Sequence, residues 1–282
     1  MAISDNDIKI FQIAVRENST YDFSDYSINS LKRRLTKITE EYGADIHRLI
    51  KTITSDGVAM EEVVKKLTVN TTELFRDTQI WQSMFKKLLP RFSRYPSINI
   101  WHPGCSTGQE VYSMMILLDQ AGMLDKANIY ASDINTDVMD TARNGIYRLR
   151  FNREYLENYK NVFSNEISRP GMDAFHPYDR YFKIDEARDR IQMLDFLKRK
   201  PVYNKIDLVK DDNLFFVNFD IIVCRNVIIY FNYNLQNRVL SLFHRNLRDN
   251  GCLVLGMHES IIGPGTLQFM KEETYYTKRR NL

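Results

Sequence analysis

The chain has 282 residues, 44% hydrophobic and 27% charged, an ordinary globular composition long enough for about two domains. Its 39 basic residues against 36 acidic ones leave a net charge of +3, too even for wholesale nucleic-acid binding. Three widely spaced cysteines form neither a disulfide framework nor a zinc pattern, no apolar run approaches about 18 residues, and no signal-peptide layout opens the chain; the expected location is a reducing cytoplasm, without membrane insertion.

In chain order, Ser4 and Asp7 read as a capping box ahead of Ile8, Phe11 and Val15. Leu31, Leu35 and Ile38 form an apolar stripe ending near Gly43, and two shorter helices carry Ile46, Leu49, Ile50 and Ile53, then Met60, Val63, Val64 and Leu67. Residues 1–68 are therefore expected to form a small all-helical domain. Residues 69–95 read as a connecting helix through Trp81, Met84 and Leu88, closed by Pro90 and Pro96. From 96 to 282 the strand-like runs "SINIWH", "NIYASD", "FDIIVC" and "CLVLGM" alternate with helical "EVYSMMILLDQAG", "TDVMDTARNG" and "LQNRVLSLFHRNLRDNG". That alternation predicts an α/β fold with a mostly parallel, Rossmann-like sheet and helices on both faces. About 164–205 breaks the rhythm with Pro170, Pro177 and Pro201 and the alternating "RYFKID" and "RIQMLDF", which predicts an inserted antiparallel β subdomain; "TLQFMKEETYYTKRR" reads as two short strands.

The turn at 103–109 follows the first strand, where a parallel sheet usually binds its ligand. Gly104 and Gly108 lack the third glycine of a dinucleotide fingerprint, there is no G-K-[ST], and Glu110 at the mouth would repel a pyrophosphate. A cationic ligand fits better. Asp133, at the tip of the second strand, is placed to accept hydrogen bonds from both hydroxyls of a ribose. A nucleoside with a positive group describes S-adenosylmethionine; a plain turn with a helix-capping Glu110 is the alternative. His102 and His258 stand at strand ends without carboxylate spacing and read as ordinary polar residues, so no metal is expected. Cys224 reads as a packed strand cysteine.

Five blocks, "NTTELFR" (70–76), "GCSTGQEVYS" (104–113), "ASDINTDVMDTARNGIY" (131–147), "FDIIVCRNVIIYF" (219–231) and "NGCLVLGMHES" (250–260), give the chain a resemblance to the CheR-type chemoreceptor glutamate methyltransferases over nearly its whole length. The resemblance implies a class I methyltransferase sheet with an N-terminal helical domain and an inserted β subdomain. It also implies methyl transfer from S-adenosylmethionine to receptor glutamates, leaving S-adenosylhomocysteine. Asn70, Thr72 and Arg76 match the family's cofactor-side motif before the first strand, Gly104, Glu110 and Asp133 its cofactor turn and acids, and Arg225, Asn226 and Tyr230 its fourth-strand motif. Arg76, Arg225 and Tyr230 are the implied catalytic residues. Asp207 and Leu208 stand where the family has Asn-Leu beside the adenine, Val111 replaces a usual Pro, and the inserted segment lacks the glycine loop of members that grip a receptor's C-terminal tether.

A glutamate carboxylate is already ionised near pH 7, so no strong general base is required and the site must supply alignment. Arg225 would hold the acceptor oxygens and Tyr230 would donate to the one that does not attack. Arg33, Arg34 and Lys37, opposite the apolar stripe, would dock on the acidic helical bundle of the receptor. The readings left beside this one are a cofactor-binding sensory or scaffold module without turnover and a methyltransferase for another protein. A base-amino methyltransferase is disfavoured because "CRNVIIY" stands where its proline-rich turn would be.

Overall fold

In the computed structural model, which describes residues 3–68, 72–163 and 175–279, helix α1 (Asp5–Asn18) begins at the expected capping box. The Asp7 amide donates to Ser4 Oγ at 3.2 Å, and the Ser4 amide donates to the Asp7 carboxylate at 2.8 Å. Helix α2 (Ile28–Tyr42) stops at Gly43, whose φ of 56° suits a residue without a Cβ. Helices α3 (Ile46–Ser55) and α4 (Gly57–Leu67) are capped by the Asp45 and Asp56 carboxylates, and the apolar stripes of all four are buried except for Ile50, which is half-buried.

The chain divides into two compact units, and the one containing these helices, Met1–Val69, also takes Val227–Val239. That late segment is tied in by an isolated bridge between Tyr26 and Phe231, by the Ser27 amide donating to the Tyr230 carbonyl at 2.9 Å, and by the Asn232 amide donating to the Asp25 carbonyl at 2.8 Å. Arg34 departs from its expected place. It is buried, its guanidinium carbon 4.1 Å from the centroid of the Tyr230 ring, and it donates to the Leu67 carbonyl. Three residues after Leu31 it falls on the apolar stripe, so helical periodicity turns it inward while Arg33 and Lys37 stay exposed.

The second unit is Asn70–Asn226 with Leu240–Leu282. The expected long connecting helix is shorter than predicted. Phe75 and Asp77 take left-handed φ values of 55° and 57°, so helix starts only at α5 (Thr78–Ser83) and passes into a π-turn (Met84–Leu88) and a 3-10 turn (Leu89–Phe92). The elements that follow are β1 (Ile98–Pro103), α6 (Gln109–Gln120), β2 (Ala127–Asp133), α7 (Thr136–Asn144), β3 (Ile146–Arg148), α8 (Glu154–Val162), β4 (Phe182–Asp185), β5 (Arg190–Met193), α9 (Asp195–Lys198) and β6 (Val202–Lys205). Then come β7 (Phe219–Cys224), α10 (Tyr233–Asn246), β8 (Leu247–Leu255), α11 (Gly265–Gln268), β9 (Phe269–Lys271) and β10 (Tyr276–Lys278).

Seven strands form one sheet in the order β6-β2-β1-β7-β8-β10-β9, parallel from β6 to β8 and antiparallel beyond. Every residue of β1 and β7 is buried, as in strands covered on both faces. From β1 the chain winds outward to β2 and then returns to β7 on the other side, so the strand order reverses between β1 and β7. A second, antiparallel sheet has the order β3-β5-β4. It borrows β3 from ahead of the expected 164–205 insert, while β6, inside that range, joins the main sheet with Tyr203 opposite Ala131. Residues 164–174 of the range lie outside the described residues. Among the described residues no helix is long and apolar enough to cross a membrane.

Candidate active site

The turn from β1 into α6 is tied to the end of β2: the Gly104 and Cys105 amides donate to the Ser132 carbonyl at 2.8 and 2.9 Å. Gly104 has φ 73° and makes the bend. Gly108, at φ 91°, serves packing instead, because a Cβ there would stand 2.6 Å from the Cβ of Ala142 on α7. The two glycines of the turn therefore have different reasons, and neither resembles the close approach to a pyrophosphate.

Asp133 closes β2 at the carboxyl edge of the sheet, as expected, and it is buried. The Ser106 amide donates to its Oδ2 at 2.9 Å and the Asn135 amide to its Oδ1 at 3.0 Å. Burial pushes its carboxyl above the usual range, against the pull of these backbone donors. Asp207 and Leu208 follow β6 beside it, where the Ile206 amide donates to the Asp133 carbonyl at 3.2 Å. The Asp207 Oδ1 accepts from the Val209 amide at 2.9 Å, so this side chain shapes its own turn.

Glu110 stands in the first turn of α6, within a small charged cluster. Its Oε1 lies 3.0 Å from His102 Nδ1 and its Oε2 lies 3.6 Å from a terminal nitrogen of Arg225. The other terminal nitrogen of Arg225 donates to the Asp77 carboxylate and to the Arg76 carbonyl, both at 2.7 Å. The guanidinium carbon sits 5.4 Å from a ring centroid of Trp81, whose indole N–H donates to the same Arg76 carbonyl at 2.9 Å. Two carboxylates thus face one guanidinium, whose side chain is 2% exposed, and the cluster keeps a net negative charge suited to a cation.

The expectation that His102 has no carboxylate beside it is corrected, since the turn of α6 brings Glu110 to it across eight residues. The segment carrying Thr72 and Arg76, both half-buried, is clamped from two helices. The Phe75 amide donates to Ser113 Oγ on α6 at 2.8 Å, and the Asn158 side chain on α8 donates to the Leu74 carbonyl at 3.0 Å. Asn70 lies outside the described residues. Asn226 takes a left-handed φ of 60°, and its amide donates to Glu259 Oε2 at 2.7 Å; the Gly256 amide donates to the same oxygen at 2.7 Å. Glu259 thereby ties the ends of β7 and β8. The sequence singles out neither Glu259 nor Asp77, although "NGCLVLGMHES" holds a signal for the first, and Trp81 is expected only as an apolar position of the connecting helix. The structure brings together Arg76, Glu110 and Arg225, sets Gly104, Asp133 and Asp207 around the adjoining strand ends, and places Tyr230 in the helical unit against Arg34.

Residues 70–276 match the family described as CheR methyltransferase, SAM binding domain. A protein of Pseudomonas putida with the provisional name methyltransferase Cher3 is 34% identical over 260 residues, covering 92% of this chain and 90% of its own. A chemotaxis protein methyltransferase of Listeria monocytogenes is 26% identical over 263 residues, 92% of each chain, and chemotaxis protein methyltransferase 1 of Vibrio cholerae is 32% identical over 208 residues, 71% of this chain and 68% of its own.

Proposed function

The chain belongs to the CheR methyltransferase family, and from that premise we propose that it transfers the methyl group of S-adenosylmethionine to glutamate side chains of a chemoreceptor in the cytoplasm, giving a glutamate methyl ester and S-adenosylhomocysteine. The observation that carries the reading is the pair of acids at the switch point of the sheet. Asp133 is pinned by backbone amides at the end of β2, and Glu110 is held in a net-negative cluster at the start of α6. Asp133 accepts from backbone amides on both oxygens and would give its remaining lone-pair capacity to the ribose, and Glu110 would take the cationic amino-acid end. When bound, the cofactor supplies a methyl group activated on a sulfonium.

The remaining named residues take supporting roles in this reading. Thr72, Gly104, Asp207, Leu208 and Asn226 would line the nucleoside side with the segment around Arg76, and Asn70 is assigned to the same role only by its match to the family motif. Arg225 has both terminal nitrogens committed to carboxylates, so its part is to hold Glu110 and Asp77 rather than to clamp the acceptor. By its match to the family motif, Tyr230 would orient the acceptor carboxylate; within its own unit Arg34 lies over its ring. Tyr230→Phe should therefore lower kcat while leaving cofactor affinity unchanged; a kcat equal to wild type at saturating substrate removes the hydroxyl from the mechanism. Docking on the receptor bundle falls to exposed Arg33 and Lys37 without Arg34. Reversing both to Glu should raise the KM for receptor several-fold at low salt, less so once the Debye length shrinks to about 8 Å at physiological ionic strength. Equal methylation by the double variant at low ionic strength would place docking elsewhere. The function itself is tested with methyl-labelled cofactor and receptor, because label in a carboxyl methyl ester is released by mild alkali and label in an N-methyl group is not.

A further inference from the structure

We propose that His102 is a positioning residue for the cofactor's ammonium end, acting through Glu110; this rests on the reading of Glu110 given above. His102 is fully buried on β1, and its Nδ1 lies 3.0 Å from Glu110 Oε1. Among the described residues its Nε2 has no hydrogen-bond partner. That asymmetry assigns the tautomer. A hydrogen on Nε2 alone would leave Nδ1 as a bare acceptor facing a carboxylate oxygen, and a doubly protonated ring would bury a charged N–H with nothing to receive it. The neutral ring with hydrogen on Nδ1 makes one charge-assisted bond and leaves only an acceptor unsatisfied, the smallest loss of the three.

The consequence falls on Glu110. With Oε1 held by His102 and Oε2 3.6 Å from Arg225, its carboxylate plane is fixed from two sides before any ligand arrives. Without the imidazole, the carboxylate is free to swing onto Arg225, a stronger partner, and its free lone pairs turn away from an incoming ammonium. The ordering is a preorganisation, so its loss is felt in binding and not in the methyl-transfer step.

Two amide side chains separate this role from mere packing, because Asn places its NH2 near the position of Nδ1 and Gln places its own near Nε2. His102→Asn should keep the affinity for S-adenosylmethionine within about two-fold of wild type. His102→Gln and His102→Leu should weaken S-adenosylmethionine and S-adenosylhomocysteine alike, about 5-fold to 10-fold, both carrying the ammonium, and raise KM with kcat at saturation little changed. Calorimetric titration with melting curves of each variant reads this out, and the Asn and Gln pair suffices if the Leu variant does not fold. Wild-type affinity in the Gln variant, or an Asn variant as weak as the Gln one, overturns the proposal. Imidazole nitrogen shifts of labelled wild-type protein test it without cofactor: the Nδ1–H pattern is expected, and the Nε2–H pattern overturns it. Failure of the wild-type chain to bind either nucleoside would strike the cofactor reading instead.

Discussion

Asp133→Asn is expected to weaken S-adenosylmethionine by about 10-fold or more while leaving the fold intact, which corresponds to roughly 1.4 kcal/mol or above. The amide keeps an acceptor for one of the Ser106 and Asn135 backbone N–H groups, which stand 2.9 and 3.0 Å from the carboxylate, but it replaces the other oxygen by a donor and removes the charge. A ribose offers two hydroxyl donors, so the ligand loses an acceptor; the backbone N–H left facing the new NH2 also costs some stability, roughly 1 to 3 kcal/mol, which a chain that still folds must absorb. S-adenosylhomocysteine should lose as much, because it carries the same ribose. Asp133 also sets a direction for pH. Burial raises its folded carboxyl above the usual value, and binding wants the ionised form, so affinity should fall on acidification at a higher pH than an ordinary carboxylate would dictate, and hold above it. Calorimetry from pH 5 to 8 reads both effects, and unchanged affinity in a folded Asn variant would remove Asp133 from the site.

Local chemistry made much of this legible beforehand. The Ser4 and Asp7 box, the stop at Gly43 and the buried runs of β1 and β7 each depend on neighbours within a few residues, and each appears where the pattern puts it. Asp133 was legible because a strand's last residue is fixed by the strand. What escaped is long-range. The return of residues 227–239 to the helical unit rests on bonds to Asp25 and Ser27, some two hundred positions away by number, and no local period announces it. Glu259 earns its place by accepting from Asn226 and Gly256 across two strands. Arg34 shows the opposite failure. Its charge suggested solvent, yet its step from Leu31 already put it on the apolar stripe, and helix geometry outweighed residue type.

Arg225→Met is expected to destabilise the sheet unit by about 3 kcal/mol, toward the lower end of what removing one partner of a buried ion pair costs, since Asp77 keeps some contact with water. For a unit of this size that is a fall in Tm of roughly 6 to 12 °C. The side chain is 2% exposed and joins three separate pieces of chain: Asp77 ahead of α5, Glu110 on α6, and its own position after β7. Methionine fills much of the volume beside Trp81 but leaves two carboxylates facing each other without a cation. Arg225→Lys should recover little, because one ammonium cannot give one nitrogen to Asp77 at 2.7 Å and another to Glu110 at 3.6 Å. Adding Asp77→Asn to Arg225→Met should restore part of the Tm, since the second change removes the charge that the first left unpaired. Cofactor affinity should not return with it, because Glu110 would still lack its anchor. Scanning calorimetry of the single and double variants checks the coupling. If Arg225→Met melts within about 2 °C of wild type, or the double variant melts at the sum of the two single losses, the cluster does not act as one unit.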